Sequence, residues 1–295
     1  MEKRFNATRW FFICLSGGVV ILIFFIFSFF TTHDGKLHLV VCDVGQGDAI
    51  VIRMPQGQKV VTDGGPDRSM LSCLGKLIPF WDREIDLVIL THPQADHMVG
   101  LIELLKRYRV KQVIATTAVN QTAEYVAWTQ ELSKQVGQGL QLSRPHRGDT
   151  ITFGQDVVGT IEWPQNGETL ADFRGDLNET SVVWRLSYGR FCALLTGDAS
   201  KLVFDQMTEQ EPEAPCLVLK VPHHGSKTGF APKFLAELAP SLALISVGRN
   251  NRYHHPAGEV LEALSAAGMD TKRTDQAGAI EIVTDGSTWY TKTER

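Results

Sequence analysis

The 295-residue chain has no C-x-x-C pair, no internal repeat, no low-complexity tract and no long run of like charge. Without paired cysteine spacings, neither a disulfide framework nor a zinc ribbon is indicated. Cys14 falls in an uncharged segment near the N-terminus, Cys42, Cys192 and Cys216 fall in apolar stretches, and Cys73 stands alone. All are expected to be small buried hydrophobes. Positive charge is also scarce. The formal charge is −4, and Glu2, Lys3, Arg4 and Arg9 together contribute +2 of it, which leaves −6 on the remainder. That balance excludes a broad basic nucleic-acid surface, so any nucleic-acid role must rest on a local site.

One segment lacks charge altogether. Trp10 to Phe30, WFFICLSGGVVILIFFIFSFF, is 21 residues without Asp, Glu, Lys or Arg. As a helix it would span about 30 Å, the thickness of a bilayer core. A cleaved signal peptide is the rival reading. Its apolar region would be about 7–15 residues with small residues at the cut, unlike Phe27-Ser28-Phe29-Phe30, and the retained anchor is preferred. Lys3, Arg4 and Arg9 then keep residues 1–9 cytoplasmic and place everything beyond Phe30 outside. The expected organisation is a cytoplasmic N-terminus (1–9), a transmembrane anchor (10–30), a linker (31–36) and one domain over 37–295.

Hydrophobic content of 43% and charge of 21% suit a globular domain with a sizeable core. Residues 37–42, 49–53 and 58–62 read as consecutive strands with Gly-rich turns, and 86–91 as a strand covered on both faces. Leu101, Leu104 and Leu105 recur at helical spacing, and 121–136 is a second helix. Residues 181–187 and 191–196 read as a hairpin, followed by strand 216–221, helix 231–238, strand 242–247, helix 257–267 and a last strand pair around Asp285-Gly286-Ser287. Adjacent strand runs with interspersed helices predict layered sheets flanked by helices.

The polar chemistry gathers where these strands end: DVGQGDA (43–49), DGG (63–65), THPQADH (91–97), TGD (196–198), VPHHGS (221–226) and SVGRNNRYHHP (246–256). Singly, a loop His is an ordinary polar residue and an Asp before Gly an ordinary turn residue. Together, Asp or His beside Gly at the end of four strands points to ligands gathered on a rigid scaffold.

In order along Leu37 to Ile282, D-V-G-Q-G-D-A, D-G-G, T-H-x-x-x-D-H, L-N-x-x-S-V-V, L-T-G-D, H-H-G-S-K-T, S-V-G-x-N and H-P resemble the metallo-β-lactamase superfamily, and specifically the extracellular domain of the ComEC competence proteins. The resemblance implies an α/β fold, the αββα metallo-β-lactamase sandwich, here preceded by a single N-terminal transmembrane helix. It also implies a metal centre between the sheet edges and hydrolysis of an ester-like bond, for the ComEC branch a phosphodiester of DNA. Carried over by position, His92, Asp96, His97, Asp198 and His255 match metal ligands, with Asp198 bridging two metals. Asp63 matches the carboxylate that orients a ligating His. His223 and His224 match substrate-phosphate contacts or a further ligand, and Lys220, Ser226 and Lys227 are placed against substrate. Lys220, inside a strand pattern, reads equally well as a snorkelling or edge lysine.

The chain departs from the superfamily pattern at two points. Gln94 stands at the second His of H-x-H-x-D-H, and Asn178 stands about where a further His would be. His92 is then left with two neutral amides, while Asp96, His97, Asp198 and His255 remain a complete set. One strong and one weak site follow, for one or two divalent ions, Mn²⁺ or Zn²⁺, with Mn²⁺ slightly favoured. Three functions compete. The first is a membrane-held, outward-facing nuclease on DNA during uptake or on extracellular DNA, working alone or with a separate DNA-channel protein. The second is a phosphodiesterase for another surface substrate of choline-phosphodiester type. The third is a non-catalytic relative that binds DNA or protein.

Overall fold

In the computed structural model, residues 11–19, 34–210 and 214–295 are described. The chain divides into two units, Met1–Asp34 and Gly35–Arg295. Residues 11–19 are helical and exposed. Most of the expected anchor, 10–30, lies outside the described residues, and among these no helix is long and apolar enough to cross a membrane.

The second unit starts with three short antiparallel strands, β1 (Leu37–Val41), β2 (Ile50–Arg53) and β3 (Lys59–Thr62). The chain then turns to parallel crossovers through β4 (Glu84–Leu90), β5 (Arg109–Ala115) and β6 (Gln141–Ser143). Helices α1 (Ser69–Leu77), α2 (Ala95–Leu105) and α3 (Ala123–Val136) make the connections. A second sheet opens as a meander of β7 (Thr150–Phe153), β8 (Val157–Trp163), β9 (Val183–Tyr188) and β10 (Phe191–Leu195). It too becomes parallel, through β11 (Val218–Lys220), β12 (Leu242–Ile245) and β13 (Asp270–Arg273). Here the crossovers are α4 (Lys201–Gln210), α5 (Pro232–Leu238) and α6 (Gly258–Ala266). After α7 (Thr274–Ala277) the chain returns to the first sheet, where β14 (Ile280–Thr284) pairs with β1 and β15 (Trp289–Thr293) with β14. The result is one eight-stranded and one seven-stranded sheet.

Alternation along the strands sets the layers. In β4, Val88 and Leu90 pack outward with Leu101, Leu104 and Trp128, whereas Leu87 and Ile89 pack inward with Trp184, Leu186 and Leu195. In β10, Leu194 faces Phe204 and Phe234 on the far side of the second sheet. Strands buried on both faces require continuous apolar sequence, the pattern seen at 86–91. The two-sheet α/β expectation holds, and the read strands lie within a residue or two of their observed ends. The elements not read, β5, β6, β7, β8, β13, α1, α4 and α7, are mostly strands with charged or half-exposed residues and short helices.

The cysteine expectation is corrected. Cys42 at the end of β1 is bonded to Cys73 in α1, and Cys192 in β10 to Cys216 before β11; Cys14 is free. A buried disulfide is itself apolar, so apolar surroundings did not separate a paired cysteine from a free one. The bridges close loops of 31 and 24 residues. Loop-closure entropy assigns each about 3.5 kcal/mol. Reduction, or Ala at both cysteines of either pair, should lower the denaturant midpoint of the Gly35–Arg295 unit accordingly. An unchanged midpoint under reducing conditions would refute the pairing.

Candidate metal centre

The C-terminal ends of β3, β4, β10, β11 and β12 deliver the polar stretches to one place. Asp63 follows β3 with left-handed backbone (φ 57°). Its carboxylate accepts from the Thr91 N–H at 2.8 Å, the Thr91 hydroxyl at 2.7 Å and His97 Nδ1 at 2.8 Å. Asp96 and His97 lie in the first turn of α2, and Gln94 is its half-buried N-cap residue. Two glycines permit this approach. A Cβ on Gly47 would stand 2.2 Å from the Asp96 carbonyl oxygen, which accepts from Asp48 N, and one on Gly100 would stand 1.8 Å from the Gly64 carbonyl oxygen. Consecutive left-handed residues after β11, His223 (φ 49°) and His224 (φ 54°), occur in a short turn that brings both imidazoles toward Asp198.

Three buried imidazoles are arranged alike. His97 donates from Nδ1 to Asp63, His224 donates from Nδ1 to the Ser246 carbonyl at 2.9 Å, and His92 Nδ1 meets the Thr91 hydroxyl at 3.1 Å. In each case Nε2 is buried without a hydrogen-bond partner, as is Asp198 Oδ1. His97 Nε2 stands 3.3 Å from Asp198 Oδ1, and His224 Nε2 stands 3.3 Å from Asp198 Oδ2 and 3.5 Å from Asp96 Oδ2. Asp96, His97, Asp198 and His224 each bring a donor atom within 4.8 Å of the others. Donors about 2.1 Å from one ion sit about 3–3.4 Å apart, so the open Nε2 atoms and carboxylates fit a divalent cation.

His224 thus stands where the carry-over placed His255. The His255 N–H and carbonyl are held by the Asn251 side chain at 2.9 and 2.8 Å. Its half-buried ring lies 5.8 Å from that of His223, outside the converging group. His223 Nε2 lies 3.8 Å from Asp198, and its Nδ1 meets Thr228 Oγ1 at 2.9 Å and Asn178 Nδ2 at 3.5 Å. Buried Asn178 Oδ1 has no partner.

Lys220 is a correction. It is fully buried, with Nζ 2.6 Å from Asp48 and donating to the Val221 carbonyl, so it cannot touch substrate. Ser226 accepts from Thr228 N, and Lys227 is exposed beside Glu259 at 2.7 Å. Asp48, whose motif was singled out but to which no role was given, lies 3.3 Å from His224 Nδ1. A buried strand lysine was the available signal, since it demands a buried acid.

Electrostatics follow this geometry. Burial disfavours charge on His97 and His224. For His97 the carboxylates of Asp198 and Asp63 outweigh it, for His224 those of Asp198 and Asp48, and both imidazoles are held well above their usual range. Against burial, His224 and His97 hold Asp198 and Asp96 well below the carboxylate range. Burial raises Asp63 despite His97. Burial, then the neighbouring His97, pushes His92 down to about 3.

Over residues 42–249 the chain matches the metallo-beta-lactamase superfamily, and it belongs to that superfamily. Among solved structures it shares the fold, at 12–13% identity, of the Bacillus subtilis metallo-beta-lactamase fold protein YhfI (TM-score 0.51, 82% of this chain, 98% of that one) and of Zn²⁺-bound PqqB from Methylobacterium extorquens (TM-score 0.52, 80% and 97%). It is similar to ComE operon protein 3 of Bacillus subtilis (strain 168), 30% identical over 90% of this chain and 35% of that protein. Recombination protein 2 of Haemophilus influenzae is 27% identical over 95% and 32%. The chain spans about a third of the length of these relatives.

Two outcomes are expected. His224→Ala should abolish retention of a divalent ion after dialysis while His255→Ala keeps it, read as metal content per chain; the reverse order would overturn the convergence on His224. Because His97 and His224 are held well above the usual imidazole range and a ligating imidazole must be deprotonated, binding should release protons. Affinity then rises with pH across the neutral range and falls in acid. Calorimetry in buffers of different ionisation heat counts the protons, and no release would contradict these protonation states.

Proposed function

We propose that this chain is a metal-dependent phosphodiester hydrolase, a ComEC-like nuclease acting on DNA during uptake or on extracellular DNA. The observation that carries it is the set of buried imidazoles tied at Nδ1 and open at Nε2, converging with Asp96 and Asp198. Asp96, His97, Asp198 and His224 would hold the strong ion, Mn²⁺ or Zn²⁺, and His92 with Asn178 a weaker one. Bound there, a divalent ion polarises a phosphoryl oxygen and offsets the charge that develops on it.

The protein's own groups set the rest. Asp63 and the Ser246 carbonyl fix the His97 and His224 rings, so neither must reorganise as charge develops. His223, partly exposed and only 3.8 Å from Asp198, is the imidazole placed to meet substrate. Burial holds its pKa below the usual range despite Asp198, so at neutral pH it accepts rather than carries a proton.

On this reading residues 10–30 hold the chain in the membrane with residues 37–295 outside, and a separate channel protein is a fitting partner. Two disulfides support the outward location, because such bridges persist in oxidising compartments.

Asp96→Asn keeps the side chain's shape and removes its charge. Metal-dependent cleavage of single-stranded DNA and of a simple phosphodiester should both fall by about a hundredfold or more, with the unfolding midpoint little changed. Undiminished turnover would exclude this centre.

A further inference from the structure

Beside the metal centre, the segment between β12 and α6 holds an aromatic side chain that no role above uses. Tyr253 is 51% exposed. Its ring stacks on that of His255, with centroids 5.8 Å apart and planes 16° apart, and His255 in turn lies 5.8 Å from His223. Exposed Arg252 places its guanidinium 4.9 Å from the Tyr253 ring centre and donates to the phenol oxygen at 2.7 Å.

The segment is braced. Asn251 donates to the carbonyls of Gly248 and His255 and accepts from the His255 N–H, closing a loop in which Asn250 and His254 are left-handed. Arg249 is fastened to the Asp275 carbonyl at 2.8 Å. The backbone that carries the ring is therefore held before any ligand arrives, and less conformational freedom remains to be lost on binding.

We infer that Tyr253 is a stacking platform for a base of single-stranded nucleic acid, with Arg252 beside it meeting the strand's backbone. This rests on the phosphodiester reading and narrows its substrate. An aromatic face with an adjacent guanidinium is the chemistry by which single strands are held, since every base offers a π-face and every linkage a negative charge. In a domain of net negative charge such a contact has to be local, and it lies one imidazole away from His223.

The test compares a thymidine oligonucleotide with an abasic strand of equal length and charge, both binding the full chain in detergent. An Asp96→Asn background prevents turnover, and anisotropy reads affinity. The base-bearing strand should bind roughly tenfold tighter. Tyr253→Ala should bring that ratio close to one, and Tyr253→Trp and Tyr253→Phe should keep it. Equal affinities for the two strands, no binding of either, or a full ratio in Tyr253→Ala overturns the platform. Hydrolysis of bis(4-nitrophenyl) phosphate by the unsubstituted chain reports separately on the hydrolase reading. Turnover with equal strand affinities removes the platform alone, whereas base preference without turnover supports the platform and removes the hydrolase.

Discussion

A chain of alternating acids and bases at the strand ends constrains the rest of this domain. Asp63 meets His97 at 2.8 Å, His97 meets Asp198 at 3.3 Å, Asp198 meets His224 at 3.3 Å, His224 meets Asp48 at 3.3 Å and Asp48 meets Lys220 at 2.6 Å. All six side chains are buried. Any one of these charges alone would be strongly destabilising, and removing a partner from such a pair costs about 3–5 kcal/mol. In sequence they lie in five separate segments, so the two sheets must come together with their parallel strand ends aligned before any charge is compensated.

The same chain balances the charge of a site rich in carboxylates. Held well above the usual imidazole range by Asp198, Asp63 and Asp48, His97 and His224 favour the positively charged form beside these carboxylates. Exchange of two protons for one dication leaves the local charge unchanged. Metal binding can then proceed with little rearrangement, because the imidazoles are already anchored at Nδ1 and need only lose the Nε2 proton. Backbone geometry shares this task. Left-handed φ at Asp63, His223 and His224 costs about 1–2 kcal/mol per residue, and it persists where surrounding bonds over-determine it.

What could be read from sequence, and what could not, divides along physical lines. Strand ends were legible because strands buried on both faces are apolar without interruption and stop where Asp, His and Gly begin. The stretches that hold Asp63, His92, Asp96, His97 and Asp198 stand out for that reason, and the family resemblance supplies the roles of these residues. Depth was not legible. His224 and His255 both stand in His-rich loops, and only the three-dimensional path, with Ser246 fastening one and Asn251 the other, separates a ring at the centre from a ring at the rim. Lys220 reads from sequence as a substrate contact or a snorkelling lysine because its acid, Asp48, is far away in sequence. Cys42 and Cys73 gave no sign of each other, since connectivity is a property of the fold and their apolar settings suit thiol and disulfide alike.

The two departures from the superfamily pattern gain meaning from the same charge balance. Around His92 there is no alternating chain. Its imidazole is neutral, with a pKa pushed down to about 3, and Asn178, the amide beside His223, carries no charge. A cation beside them would lean on Asp198, which already serves His97 and His224. On the proposed reading, an ion at His97 and His224 competes with protons near neutrality, whereas one beside His92 would meet neutral donors. A phosphodiester carries an anionic oxygen. On the proposed reading the second position fills with substrate rather than before it.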